Sequence, residues 1–264
     1  MIAPISTPTV PQTTDTDPPI APVLSQSLPP ADEVFYPDSD GQPMAENTKQ
    51  FRWITVIQYN LSWLFAQDPA VFVAGDLLWY PVQGNNKLRQ APDVMVVFGV
   101  PKGDRGSYQQ WKENDIAPQV VFEILSPGNT LAEMTRKLAF YSRYGVEEYY
   151  IYDPDRDELT GCLQRDGALE VIEEMVGWVS PRLGITFKGL DPDLQLLRPD
   201  GTAFTSYEAV SQQLEETSQQ LEAASQQLEA ASQQLEATSQ QLEAERDRAD
   251  RLAAQLRALG IDPT

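Results

Sequence analysis

The chain has 264 residues, with 39 acidic and 19 basic side chains, no histidine and one cysteine. The lack of histidine excludes Ser-His-Asp and Cys-His catalysis and histidine-ligated zinc. A single cysteine excludes disulfides within the chain and multi-cysteine metal sites. The sequence has no apolar stretch of about 18 residues and no basic leader segment, so it predicts a cytoplasmic protein.

Residues 1–45 are predicted to form a disordered, acidic, Pro/Thr-rich arm. They contain ten of the 21 prolines, six acidic residues and no Lys or Arg. Such a composition buries too little apolar surface to offset the entropy lost on ordering.

Residues 46–205 hold all five tryptophans and are predicted to form the folded domain. Two helices are expected, at 46–67 and 131–144; Thr130 caps the second, with Glu133 as its capping-box partner. Strands are expected between and after these helices, at 71–80, 93–98, 119–125, 148–152, 159–164, 169–174 and 183–187. The fold class is therefore α/β, with a mixed sheet and one helix crossing over between the third and fourth strands.

Residues 206–264 are predicted to form a long coiled-coil helix. Five near-identical SQQLEAA-type units begin at Ser211, and leucine recurs every seventh residue from Leu214 to Leu242. With these leucines at heptad position a, position d holds mainly Ala and Thr, which gives one strong and one weak seam position. Self-association through this helix is the favoured interpretation, and a helix that lies alone or on its own domain is the alternative.

The charge balance argues against a large surface for non-specific nucleic-acid binding. The predicted domain has 22 acidic and 15 basic residues, whereas such binding depends on Lys and Arg contacts to phosphate. A local basic patch in the window from Lys87 to Lys112, which includes Arg89, Lys102 and Arg105, is an open alternative to scattered, solvated charges.

The strand at 119–125 carries an unexpected charge, because Glu123 lies in the middle of its apolar run. A buried charge is costly unless it is paired or binds a metal. Asp93 begins the strand at 93–98, so both carboxylates meet at one sheet end if the two strands are neighbours. Oxygen ligands of this kind suit Mg²⁺, and Lys137 on the crossover helix can help to stabilise a developing phosphate charge.

The combination of Pro-Asp, an acidic residue in a following strand and a lysine resembles the PD-(D/E)XK nuclease superfamily. More closely, residues 46–199 resemble the Uma family of restriction-endonuclease-like proteins. The matching stretches are APDVMVVFG (91–99), PQVVFEILSPGNT (118–130), EMTRKLAFYSRYGVEEYYIYDP (133–154) and GWVSPRLGI (177–185). The resemblance implies a restriction-endonuclease-like fold and DNA hydrolysis with Mg²⁺, or Mn²⁺ in its place. It also implies that Asp93 and Glu123 are metal ligands and that Lys137 is the catalytic lysine.

One departure from the superfamily pattern concerns the lysine. The pattern puts it two residues after the acidic strand residue, where this chain has Leu125. Lys137 takes the role only if the crossover helix packs over the same strand. Asp76, Glu46 and Ser126 are further candidates for the site, although a turn role for Ser126 and a surface role for Glu46 are the favoured interpretations.

Each candidate also has a purely structural interpretation. Asp93 can begin a strand, Glu123 can form an ion pair with Lys137 or Arg136 without a metal, and Lys137 can be an exposed helix residue. Two functions therefore remain open: a Mg²⁺-dependent endonuclease, and a catalytically inactive protein of the same fold that acts as an oligomeric interaction module.

Overall fold

The computed structural model describes residues 34–41, 43–191 and 193–259. Residues 1–33 of the arm predicted to be disordered lie outside the described residues. Residues 34–40 run along the domain: the Tyr36 ring contacts the rings of Tyr80 and Trp111, with centroid distances of 5.2 and 4.9 Å. The Tyr80 hydroxyl donates to the Pro37 carbonyl at 2.7 Å.

The centre of the domain is a six-stranded mixed sheet in the order β1-β3-β5-β6-β7-β8. Neighbouring strands are antiparallel except for β5 and β6, which are parallel. The strands are β1 (Val71–Gly75), β3 (Val94–Phe98), β5 (Val120–Ile124), β6 (Glu148–Asp153), β7 (Glu158–Arg165) and β8 (Ala168–Val171), and the short strand β2 (Trp79–Tyr80) lies outside this sheet.

Helix α2 (Leu131–Arg143) connects the two parallel strands, as a parallel pair requires a crossover. It begins at the predicted cap, where the Thr130 hydroxyl accepts a hydrogen bond from the Glu133 amide at 3.2 Å. The chain leaves it through Gly145, whose φ of 92° suits glycine. The predicted crossover is thereby confirmed.

Strand β5 is central and buried on both faces, which explains its nearly continuous apolar run. Val120, Phe122 and Ile124 face the core under helix α1 (Thr48–Leu64), while Val121 faces the core under α2. Glu123 shares the α2 face with Val121 because side chains alternate along a strand. The alternation therefore directs this carboxylate toward α2.

The predicted strand at 71–80 is two strands, β1 and β2. The break falls at Asp76, whose φ of 47° is incompatible with an extended strand. Its amide donates to the carbonyls of Pro92 and Asp93, at 3.1 and 3.2 Å. Strand β2 then pairs in parallel with β4 (Tyr108–Gln109), away from the main sheet.

A second, three-stranded sheet packs beyond the main one and ends the domain. Its order is β11-β10-β9. The expected strand at 183–187 begins later, because Leu183 and Gly184 belong to a turn in which the Gly184 amide donates to the Ser180 carbonyl. The three strands are β9 (Trp178–Val179), β10 (Thr186–Gly189) and β11 (Gln195–Leu197).

Helix α3 (Tyr207–Ala258) follows the domain and has 52 residues. Ser206 caps it by accepting from the Ala209 amide at 3.2 Å. None of its residues is buried, and the leucines of its repeats project into solvent. In the part of the chain that the structure describes, no helix has the length and apolar character needed to cross a membrane.

Candidate active site

Glu123 is held by two side chains of α2. Lys137 donates from Nζ to Glu123 Oε2 at 2.8 Å, and the Tyr141 hydroxyl donates to Oε1 at 2.5 Å. Only 2% of the Glu123 residue is exposed. The Lys137 ammonium group and the Tyr141 hydroxyl therefore offset the energetic cost of burying the Glu123 charge.

Asp93 lies directly before β3, which is the antiparallel neighbour of β5. Its Oδ2 accepts from the Ile124 backbone amide at 2.6 Å, and 8% of the residue is exposed. This bond ties Asp93 to the residue after Glu123. The two acids therefore lie at one end of neighbouring strands.

Lys137 approaches these acids from helix α2. This is the placement that the sequence required, because Leu125 occupies the usual position of the lysine on the strand. Besides Glu123 it pairs with Glu133 at 3.8 Å, one helical turn earlier. Its side chain is 15% exposed, so the amine lies between the buried strand and the solvent. The interpretation of Lys137 as a freely exposed helix residue is thus wrong.

The pKa values of these groups follow from burial and proximity. Burial raises the pKa of Asp93 well above its usual range, and the charge of Glu123 raises it further. Burial also raises the pKa of Glu123, against the opposing effect of Lys137. Burial lowers the pKa of Lys137, but the carboxylates of Glu123, Asp93 and Glu133 together outweigh this, so the net shift is upward. The site therefore combines two mutually repelling acids with one stabilised ammonium group.

An open cavity of about 550 Å³ lies beside this cluster. Asp93 and Lys137 line it, and Glu123 lies behind Lys137. Asp76 lines it too: burial raises its pKa and the charge of Asp40 adds to the effect. The remaining polar lining residues are Asp40, Glu46, Gln50, Gln90, Ser126, Asn129, Glu133 and Arg136.

Glu46 and Ser126 meet at the edge of this cavity. The Ser126 hydroxyl donates to Glu46 Oε2, and the Ser126 amide donates to Asn129 Oδ1 at 2.8 Å. Ser126 is thus both a turn residue and part of the cavity wall. Glu46 remains exposed.

Two residues with a direct structural effect on the site were missed in the sequence. Tyr141 could have been found, because it lies four residues after Lys137 and shares its helix face. Gln50 carried no such signal: its Nε2 donates to the Ile124 carbonyl at 2.8 Å, and its Oε1 accepts from the Glu46 amide at 2.8 Å. It fixes α1 against the end of β5.

Three members of the suggested basic patch have structural partners. Arg89 donates to the Asn86 carbonyl at 3.3 Å. Lys102 donates to the carbonyls at the end of α1, Phe65 and Ala66. Arg105 binds Glu113 at 2.7 Å and lies over the Phe72 ring, 4.1 Å from its centroid. These two cations organise the loop that carries them.

The site thus lies on a mixed sheet with flanking helices and one parallel crossover, at the shared end of two neighbouring strands. The match to a family model extends over residues 33–183, which is more than half of the chain. The chain belongs to this family, Uma2, described as "Putative restriction endonuclease".

One solved structure similar to this chain is that of a putative nuclease belonging to DUF820 from Anabaena variabilis. The sequences are 17% identical, the TM-score is 0.39, and the match covers 53% of this chain and 74% of that one. No curated protein matches the chain.

Proposed function

We propose that this protein is a metal-dependent endonuclease that hydrolyses phosphodiester bonds in DNA. The observation that carries the proposal is the meeting of Asp93, Glu123 and Lys137, from two neighbouring strands and the crossover helix, where Asp93 and Lys137 line a cavity. Family membership supports the same reaction class. Fold alone would not, because one fold hosts many functions.

The donor set fits a hard cation such as Mg²⁺, with Mn²⁺ as a substitute. Among residues 34–41, 43–191 and 193–259, no three acidic side chains lie close enough to hold a metal by themselves. Mg²⁺ is commonly held by one or two carboxylates together with water and substrate phosphate. Asp93 and Glu123 would be the protein ligands, and binding would be strongest with the nucleic acid in place.

Each residue then has a defined task. Asp93 is oriented by the Ile124 amide, and Glu123 by the Tyr141 hydroxyl. Lys137 places a positive charge beside both acids, where it can orient an attacking water and offset the charge that develops on phosphate. When bound, the cation would supply Lewis-acid stabilisation of the phosphate oxygens and a more acidic water.

Cleavage of supercoiled plasmid at low salt, with Mg²⁺ or Mn²⁺, tests the proposal. We expect cutting by the wild type and loss of cutting in Glu123→Ala and Lys137→Ala. Glu148→Gln is the matched control, because Glu148 is equally buried on the neighbouring strand but faces the opposite side of the sheet. Cutting that survives in Glu123→Ala, or none by the folded wild type in either metal, would overturn the proposal.

A second candidate function is a non-catalytic interaction module. The observation that favours it is the internal pairing of Glu123, which needs no metal to compensate its charge. Calorimetric titration with Mg²⁺ and Mn²⁺ separates the two candidates: metal binding that disappears in Glu123→Ala supports the enzyme, and its absence in the wild type supports the module.

Self-association through α3 is part of the proposal for either function. The five repeat leucines, Leu214, Leu221, Leu228, Leu235 and Leu242, are each between 65% and 74% exposed in the single chain. A regular apolar stripe of this kind is the usual surface of a coiled coil.

A further inference from the structure

The residues along the apolar seam of α3 indicate whether two copies of this helix would pair in parallel or antiparallel orientation. Along the repeats every a position is leucine, whereas the d positions from Thr217 to Thr238 are only Thr or Ala. Positions e and g are Ser and Gln in these repeats, so the flanking charges that usually choose partner and orientation are missing there. Direction must therefore come from side-chain volume and from the ends of the helix.

Side-chain volume favours an antiparallel pair. In a parallel dimer a faces a and d faces d, so crowded leucine pairs would alternate with loosely filled Ala or Thr pairs. In an antiparallel dimer a faces d, so that the central leucines lie opposite small residues. Leu228 faces Thr238 of the second copy, Leu235 faces Ala231 and Leu242 faces Ala224. Large against small fills these central layers evenly, as close packing requires.

Charge favours the same direction. Residues 207–244 contain seven glutamates and no basic side chain, while residues 245–259 contain four arginines and three acids. A parallel pair would align the two acidic stretches over their whole length. An antiparallel pair places the arginine-rich end of one helix beside Glu208, Glu215 and Glu216 of the other, and it also opposes the helix dipoles.

We propose that α3 binds the α3 of a second copy in antiparallel orientation, so that the two domains stand at opposite ends of one rod. This rests on the proposed self-association of the helix, but not on nuclease activity. With full overlap the two-fold axis passes near Gln233, and Leu214 meets Leu252 of the second copy. The 52 residues of α3 span about 78 Å at 1.5 Å per residue.

The antiparallel rod bears on how the proposed enzyme would cut. The start of α3 is fixed to its own domain, because the Asn60 side chain bonds both the amide and the carbonyl of Thr205. The two cavities are then separated by the length of the rod. Each site would cut one strand independently, and the pair would not make a concerted break at one position.

Distance measurements between spin labels on the full-length chain test the direction. Cys162, which is buried, is first replaced by alanine so that labels attach only where intended. Single cysteines then replace Gln219, Gln233 or Asp247, which lie on the face opposite the seam. Pulsed dipolar spectroscopy gives the label-to-label distance, and analytical ultracentrifugation gives the mass.

An antiparallel dimer predicts a short distance for Gln233→Cys and a long one for Gln219→Cys. The long one is about 42 Å, because the two labels are four heptads apart along the rod. Mixing Gln219→Cys copies with Asp247→Cys copies should give a short distance again. A slip of one heptad changes the long distance by only about 10 Å, so direction is decided in any register.

Other outcomes overturn the inference in distinguishable ways. A short distance for Gln219→Cys in a dimer means parallel pairing, which leaves self-association intact. A monomeric mass removes self-association as well, and it would mean that α3 lies alone or on its own domain. A trimer or a larger assembly also contradicts the antiparallel pair. None of these outcomes changes the plasmid test of the nuclease.

Discussion

Two buried glutamates on neighbouring strands have very different hydrogen-bonding partners. Glu123 on β5 and Glu148 on β6 are 2% and 1% exposed, and the two strands are parallel neighbours. Glu123 faces α2, where Lys137 and Tyr141 bind it next to the cavity. Glu148 faces the opposite core and accepts from Tyr150, Ser180 and the Arg182 amide.

The difference lies in the donors and not in the depth of burial. The Glu148 carboxylate is bound by two hydroxyls and a backbone amide, while the Arg182 guanidinium binds Glu147 instead. That arrangement fastens the turn before β10 to the main sheet. Glu123 instead shares its space with a lysine and with Asp93, which lines the cavity. Burial alone therefore does not distinguish the two glutamates, whereas the neighbouring lysine and the cavity beside it do.

The largest expected effect comes from replacing each glutamate by glutamine, because this removes the negative charge with little change in side-chain shape. We expect Glu123→Gln to lower the plasmid cleavage rate at least about 100-fold, because a charge needed in the transition state is lost. Glu148→Gln should stay within about threefold of wild type, since it touches no part of the proposed reaction. Equal losses in both variants, with both folded, would mean that Glu123 acts only through stability.

The ion pair gives the next largest effect, this time on stability. Lys137→Met leaves Glu123 buried without its cation, which should cost about 3 kcal/mol of the free energy of unfolding. Adding Glu123→Gln to Lys137→Met should recover part of this loss, because the uncompensated charge is removed. Urea unfolding of the two variants and the wild type measures both. A double variant less stable than Lys137→Met would contradict the uncompensated-charge explanation.

The stability difference between the wild type and Glu148→Gln is expected to depend on pH. Burial raises the pKa of Glu148, against the opposing hydrogen bonds from Ser180, Tyr150 and the Arg182 amide. A raised folded-state pKa stabilises the fold fully below the unfolded-state pKa, and this contribution is lost as the pH rises through the folded-state value. Glutamine does not titrate. The stability deficit of Glu148→Gln should therefore be largest at acid pH and shrink as the pH rises.

Unfolding of both proteins in urea, at a series of pH values above 4, tests this sign. A deficit that stays constant with pH would show that Glu148 has the same pKa in the folded and unfolded states. A deficit that grows with pH would show a lowered pKa.

The smallest expected effect belongs to Glu46, the exposed acid at the cavity edge. Its carboxylate accepts from Ser126, so Glu46→Gln disturbs the wall of the site without touching Asp93 or Glu123. We expect less than about a tenfold loss of cleavage, recovered by a higher Mg²⁺ concentration if Glu46 helps to hold the cation. A loss as large as that of Glu123→Gln would make Glu46 a principal ligand.

Local signals in the sequence predicted much of the fold. The capping box at Thr130, the glycine after α2 and the apolar run of β5 each depend on neighbouring residues, and each is found where expected. The break at Asp76 was not predictable, because its left-handed backbone is stabilised by carbonyls of Pro92 and Asp93, well separated along the chain.

The candidate site also contains both residues that the sequence predicted and residues that it did not. Asp93, Glu123 and Lys137 could be named from the sequence, and the structure brings them together, while their catalytic roles remain predictions. The role of Gln50 could not be predicted, because its partner Ile124 is 74 residues away. Contacts at that range depend on how α1 packs on the sheet.

The internal use of Lys102 and Arg105 has a thermodynamic consequence for any nucleic-acid complex of this protein. Affinity that comes from releasing condensed counterions requires basic side chains that are free to reach phosphates. Here three of the five cations in the window from Lys87 to Lys112, with Arg89 as the third, already bind Glu113 or backbone carbonyls. A double-logarithmic plot of affinity against salt concentration should consequently have a shallow slope.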